Sequence, residues 1–585
     1  MSGQIRNAAS CRRSSPGAFG QSGQLASRVK QLLKLAVVAW LAAAGPAHAA
    51  PDPKSHDTLV IGVSSFPTQM HPDIDPEAVK GYIEGLAFRP ITAFDVSWTN
   101  TCLFCTELPT LDNGLVTIEE RPPGLPGMAV TIKLKPDLKW GDGVPVTAAD
   151  LAFAAKVGRD PNSGFANTRT WGRVESVEVV DEHTAILHFD EVSSEFDRIP
   201  DLLPEHIEGP IYAAASGPGD YITHSAYNRD PTTPGLWNGP YMITGYSSGS
   251  TVTLEPNPYW PGPAPGFKKI VFKTVSNTAA LLANLQSGDV DMTPGEGIGL
   301  TVDQGLTLMK TQPDRFNYIT KPALTYDHID LQLDNPILSD VRVRRALLYA
   351  IDRKTMSDKL FDGKFPIADS WVSPLEHVHS DDVRHYGYDP AHARDLLAKS
   401  GWKPGSDGIC RNAEGTKLSI AFAVTAGNKL RELMQQVIQS QWKAACIEAV
   451  IRNETPRALF GETLKKRKFT GAVLYSWLFP VESSPRQILG SDQIPTPENN
   501  WSGTNYMDWH NDIIDDGIKT VETELDSEKR QAAWTAMQQV YAQELPVLPL
   551  FFRVEVHALP KWLKGYEPTG HSDYAVLWGE NWRPE

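Results

Sequence analysis

The sequence predicts an α/β fold with partly parallel sheets. Strand-like runs and amphipathic helical runs alternate along the whole chain, with no internal repeat and no low-complexity linker between them. Two helix-to-strand passages are especially clear. Residues 429–445 have helical periodicity and lead into Cys446-Ile-Glu-Ala-Val-Ile451, and the helical stretch Ser527 to Leu545 leads into strand-like residues 547–556. With 41% hydrophobic residues in a chain of 585, there is enough apolar material for at least two substantial cores.

The elements follow in order. Arg28, Lys30 and Lys34 precede an uncharged run from Leu35 to Ala44, and Ala47-His48-Ala49 supplies a small-x-small cleavage pattern, so residues 1–49 read as a cleavable signal peptide. The run is about ten residues, against the roughly 20 that span a bilayer. Cys11 lies far upstream and no cysteine sits at the cleavage point, which points to a periplasmic protein without a lipid anchor. The 28 residues before the signal are longer than an ordinary n-region and point to a start near Val29.

TLVIGVSS (58–65) is a buried strand and AVTIKLKP (129–136) an alternating one. SVEVVDEHTAILHF (176–189) is a hairpin turning at Asp181 to His183. Thr147 with Asp150 forms a capping box for the helix through Leu151 and Phe153. Asp340 caps a helix burying Ala346, Leu347, Ala350 and Ile351, with its arginines on a solvated face within reach of Asp352 or Asp358. Asp389, Pro390 and Gly401 delimit another helix. In the helix 429–445 the expected core stripe is Leu430, Leu433, Met434, Val437, Ile438 and Trp442. The helix from Ser527 buries Trp534, Met537, Tyr541 and Leu545.

Removing residues 1–49 deletes six basic residues and no acidic ones, which takes the net charge from −15 to −21. An acidic surface argues against nucleic acid and anionic membrane as partners. Four cysteines then remain in an oxidising compartment. A local disulfide is expected for Cys102 with Cys105, and Cys410 and Cys446 sit at the starts of strands that neighbour pairing could bring together.

Other motifs carry weaker chemistry. Gly245-Tyr246-Ser247-Ser248-Gly249 matches the nucleophile-elbow pattern of a serine hydrolase, but the alternating TVTLEP that follows favours a hairpin. His377, His379, Asp381, Asp382 and His385 are dense enough to suggest a metal site, but a polar surface loop leading into the Asp389 cap is the favoured account. The expectation is no catalytic residue, no resident metal and no cofactor.

Four segments carry a resemblance. They are KLKPDLKWGDGVPVTAADLAF (133–153), the stretch from NGPYMITGY to LQSGDVDM (238–292), DNPILSDVRVRRALLYAIDRKTM (334–356) and YDPAHARDLLAKSGW (388–402). In this order they resemble the peptide-type substrate-binding proteins of bacterial ABC importers, family 5, a class that includes oligopeptide, dipeptide and nickel receptors. The resemblance implies a two-lobed periplasmic-binding-protein type II fold with an extra subdomain in the first lobe. The expected division is lobe I at 50–92, the subdomain at 93–232, lobe I at 233–320, lobe II at 321–548 and a return to lobe I at 549–585. It also implies a monomeric receptor, not an enzyme, that delivers peptides or peptide-like solutes to a membrane permease. A metal-complex or oligosaccharide receptor on the same fold is the alternative.

GAVLYSWLFP (471–480) resembles the family's ligand-lining segment, with Trp477 as the aromatic wall between Ser476 and Phe479. The family's peptide binders carry an aspartate for the ligand's α-ammonium three residues after this tryptophan, and Pro480 stands there instead. Either Glu482 takes over, or the ligand has no free ammonium at that point. Trp501 and Asn505 are further candidate wall residues, together with Tyr506, and Ser65 and Phe66 form the matching loop of the other lobe.

Overall fold

In the computed structural model the described residues are 56–585, apart from 75–76, 122–125, 166–167, 200, 296 and 500. The expected signal peptide and Cys11 lie outside the described residues. None of the described helices is long and apolar enough to cross a membrane.

A first sheet has its strands in the order Thr58–Val63, Lys269–Thr274, Thr251–Pro256, Tyr241–Ser247. The first pair is parallel and the others are antiparallel. Leu59, Ile61 and Val63 alternate onto the buried face, which is why TLVIGV settles as a strand. The GYSSG segment closes the hairpin between the last two strands. Ser247 is exposed at a strand end and pairs with Thr251, so a strand follows where an elbow needs a helix, and the hydrolase alternative at Ser247 is corrected.

A separate antiparallel sheet lies within the segment expected as the extra subdomain, in the order Val116–Glu119, Gly127–Lys133, Thr184–Phe189, Val174–Asp181. Beside it the helix Ala148–Gly158 opens with the capping box of Thr147 and Asp150. Asp150 is itself buried and also accepts from the Trp140 indole and the Glu205 amide.

The second main sheet has five strands, in the order Glu448–Ile451, Ser419–Ala423, Ala472–Leu478, Phe316–Leu331, Val547–Pro560. The first two pairings are parallel, and the two made by Phe316–Leu331 are antiparallel. Helices cover both faces. Ile329, Leu331, Ile420, Phe422 and Leu474 pack with Ala346, Leu347, Ile438 and Trp442 on one side. Tyr326, Val473 and Tyr475 pack with Ile514, Ile518, Met537 and Tyr541 on the other. The period of two along each strand divides these sets.

Strands Phe316–Leu331 and Val547–Pro560 form one long ribbon with a register break between Pro322 and Tyr326. Beyond the break, Phe316 and Ala558 leave the five-stranded sheet and join Leu281, Leu285, Leu300 and Leu308 under the first sheet. The chain therefore crosses between the two main sheets twice, side by side.

Two sequence expectations are corrected. In the helix Lys429–Ala444, Leu433 is exposed and Gln435 is buried instead, because the Gln435 amide donates to the Phe422 carbonyl and to Asn453 at the sheet edge. In the helix Val341–Tyr349, Arg344 is buried and donates to the carbonyls of Glu544, Leu338 and Ser339, while Arg345 donates to that of Gln543. These arginines satisfy the carbonyls that end the helix Ser527–Glu544 rather than reaching Asp352 or Asp358. Asp352 caps the next helix at the Thr355 amide, and Asp358 pairs with Lys354.

Candidate functional site

The strand Ala472–Leu478 carries its last residues out of the core into open space. Trp477 is half-buried, edge-on to Tyr475, and lines two cavities of about 720 and 410 Å³. Both volumes lie in the usual range for small-molecule sites. The larger is closed on the opposite side by the helix Ala78–Ala87, the loop 88–91, the short strand Thr92–Phe94 and Asp573-Tyr574. Phe479, Pro480, Val481 and Ser484 line it on the side of Trp477. The smaller is bounded by Ser64, Gly295, Gly297 to Gly299, Thr301 and the ribbon residues Arg553, Glu555 and His557.

The floor of the smaller cavity is a buried charge network. Asp327 is fully buried and receives Arg553 through two bonds, Nε to Oδ2 at 2.7 Å and Nη2 to Oδ1 at 2.8 Å. Ser476 donates to Asp327 at 2.5 Å and accepts from Arg553 at 3.1 Å and Arg431 at 2.9 Å. Burial alone would raise the Asp327 carboxyl, but Arg553 and Ser476 together hold it below the usual aspartate range. The strand pairing explains the convergence, since Ser476 sits opposite Asp327 in register.

A third cavity of about 380 Å³ adjoins the first, with Phe94, Asn100, Glu195, Arg198 and Ser484 common to both. Glu482 lines this third cavity, in a left-handed conformation with φ 48°. Its amide donates to Glu376 at 2.8 Å, and its carbonyl accepts from Arg198 at 3.2 Å. Burial pushes the Glu376 carboxyl up to about 7 against the two backbone donors of Ser373 and Glu482.

The sequence candidates separate accordingly. Ser476, Trp477 and Phe479 line the first two cavities, and Glu482 the third. Ser65 is exposed and Phe66 packs edge-on against Tyr246; on their loop the cavity wall is Ser64. Asn505 is fully buried, its amide spent on the carbonyls of Leu489, Gly490 and Trp509, and Tyr506 belongs to the core. Trp501 sits in the same loop with φ 60°, away from the three cavities.

Cys102 pairs with Cys105, and Cys410 with Cys446. The histidine-rich loop disperses: His385 faces Asp369, His379 faces Asp381 and His377 lines the third cavity. Among the described residues no group of three His, Cys, Asp or Glu could hold a metal ion. Sequence reasoning missed Asp327, Arg431 and Arg553. The available signal was a charge inside an apolar strand pattern, as in TYDHIDL and LPLFFRV, which requires a buried partner.

The model of a family described as bacterial extracellular solute-binding proteins, family 5 Middle, matches residues 126–491. The oligopeptide-binding protein AppA of Bacillus subtilis is 24% identical over 525 residues, 88% of this chain and 90% of that protein. The crystal structure of the oligopeptide-binding protein from Thermus thermophilus, complexed with a pentapeptide, is similar with a TM-score of 0.70 at 28% identity, covering 89% of this chain and 96% of that one. NikZ from Campylobacter jejuni, in complex with Ni(L-His), shares the fold with a TM-score of 0.71 at 20% identity over 90% of this chain and 99% of that one. The two helix-covered sheets joined by a double crossing are the two lobes of the type II binding-protein fold, and the chain belongs to the family 5 bacterial extracellular solute-binding proteins.

Proposed function

We propose that this protein is the receptor of an ABC importer, taking a peptide or peptide-like solute into the cleft beside Trp477 and delivering it to a membrane permease. One observation carries the reading. The strand Ala472–Leu478 pairs on one side with Phe316–Leu331 along its length, but on the other side only Ala472 and Val473 have a partner strand among the described residues. Beyond the buried Leu474 and Tyr475, residues 476–478 thus offer an unpaired edge at the mouth of the two cavities, to which an extended ligand can add as a strand. The peptide-binding names of the relatives above support the same reading.

In this proposal we keep the division read from the sequence, with lobe I at 50–92, 233–320 and 549–585, its subdomain at 93–232 and lobe II at 321–548. The register break at Pro322 to Tyr326 is where the ribbon would flex as they close. Secretion rests on residues 29–49, and amino-terminal sequencing of the protein from its native periplasm is expected to begin at Ala50. A mature chain retaining Lys30 would refute that.

Trp477→Ala is expected to weaken every peptide ligand by about 2 kcal/mol or more, roughly 30-fold in Kd, because a half-buried aromatic wall shared by two cavities is lost. Calorimetry of alanine-based peptides against both proteins checks it. Unchanged affinity would remove Trp477 from the site. Comparing each peptide with its N-acetylated form on wild type and Glu482→Gln decides whether Glu482 replaces the aspartate that Pro480 displaces.

A further inference from the structure

The larger of the two cavities beside Trp477 has an acidic end that the peptide reading leaves without a role. The helix Ala78–Ala87 presents Gly81, Glu84 and Gly85 to it, and Asp73, Asp201 and Asp573 enter from other segments. Glu84 is only 5% exposed, and its Oε1 has no hydrogen-bond partner among the described residues; nor has Oδ2 of Asp73. Native proteins rarely leave a buried carboxylate oxygen unpaired, because desolvation without a partner is costly.

Lys80 acts on both carboxyls through space, but no surrounding charge hydrogen-bonds these two oxygens among the described residues. Lys80 directs its ammonium at the carbonyls of His71, Pro72 and Ile74. On the cavity's other walls, Arg173 is held by Glu191 and Glu522, and Arg198 by Glu195 and the Glu482 carbonyl. Burial first, then the neighbouring carboxylates, outweighs Lys80 and pushes Asp73 and Glu84 well above the usual range and Asp201 up to about 6, while burial raises Asp573. Such an arrangement favours whatever brings a positive charge into the space.

The carboxylates are spread over the walls rather than focused, and no three of the described metal-ligating side chains could hold an ion. An organic cation fits that spread, since an ammonium has three donors and a guanidinium five, fanned in several directions. The same cavity reaches Trp477, so a long side chain leaving a ligand on the strand edge has an open path to Glu84.

We infer that the acidic end of this cavity is a subsite for a lysine- or arginine-like side chain of the bound solute, with Glu84 and Asp201 as its partners, an inference that rests on the peptide reading above. The structure then selects a substrate class, peptides carrying at least one cationic side chain.

The test is calorimetry on the full mature protein, freed of bound solute. The probes are alanine peptides bearing one lysine at each position in turn, each matched by its norleucine counterpart. At one position lysine is expected to bind about 10- to 100-fold more tightly than norleucine, the range for a desolvated charge-assisted contact. The preference should survive N-acetylation, which places it on the side chain. Glu84→Gln and, separately, Asp201→Asn are expected to narrow the lysine-to-norleucine ratio to below about 3-fold. The ratio is taken within each variant, so a partial loss of fold is not mistaken for a loss of selectivity. Equal affinities in wild type overturn the subsite while leaving the peptide receptor standing, and so does a preference abolished by N-acetylation or untouched in both variants. If no peptide of either set binds, the receptor reading fails and the subsite fails with it.

Discussion

Asp327→Ala is expected to lower the unfolding free energy by about 3–5 kcal/mol, among the largest effects available to a single substitution in this chain. The carboxylate is fully buried at the cleft floor, and both of its oxygens are taken by Arg553, with Ser476 adding a third bond. Removing it strips a buried guanidinium of its two charge-assisted bonds to Asp327, beside a serine that also serves Arg431. Urea unfolding followed by tryptophan fluorescence reads the loss, and a cost below about 1 kcal/mol would mean the network is not holding the floor together. The double change Asp327→Ala with Arg553→Met is expected to recover much of the deficit, since an apolar pair of similar bulk needs no compensation. The pH dependence has a definite sign. The folded carboxyl is depressed, so its contribution is complete above the usual aspartate value of 3.8 and fades as pH falls through the lower folded value. Asp327→Ala should therefore flatten the acid limb of the stability curve and leave the neutral limb parallel to wild type.

Opening the Cys410–Cys446 bridge is the second large effect. The bridge spans 36 residues of sequence, so its loss is expected to cost about 4 kcal/mol on the chain-entropy model. The local geometry depends on it. The Cys410 amide donates to the Cys446 carbonyl, both cysteines are buried, and Cys446 turns the chain from helix to strand at φ 67°. Cys410→Ser with Cys446→Ser, measured by denaturant unfolding, checks the magnitude. Cys102–Cys105 closes a loop of three in sequence separation, and the same model gives about half that cost. Thiol titration of the oxidised, unfolded mature protein should find no free thiol, and four would refute both bridges.

What was legible in the sequence was local or carried by family motifs. Thr147 with Asp150, and Asp389 with Pro390, announce helix starts because a cap is satisfied within a few residues of itself. The hairpin through Asp181 to Thr184 and the strand Thr58–Val63 follow from a period of two that needs no distant partner. Trp477 was found because a recognisable segment, GAVLYSWLFP, surrounds it. The stripe on the helix Lys429–Ala444 was misplaced at Leu433 and Gln435, because hydropathy counts a glutamine as outward-facing and is blind to the carbonyl waiting for it at Phe422.

By itself, then, the sequence determined the α/β alternation, the family and the cysteines that pair, and it singled out Trp477, which lines two cavities. Only the tertiary structure decided which charges meet. Asp327 finds Arg553 across 226 residues, and the acidic end joins Asp73 and Glu84, which are near each other in sequence, to Asp201 and Asp573 from distant segments. It also decided that Asn505 holds a loop while Ser64, beside the expected Ser65, lines the cleft. The reason is physical. Periodicity and capping are satisfied within a few residues, whereas the environment of a buried charge is set by desolvation and by groups that chain reversal brings within a few ångströms, and no local pattern encodes that distance.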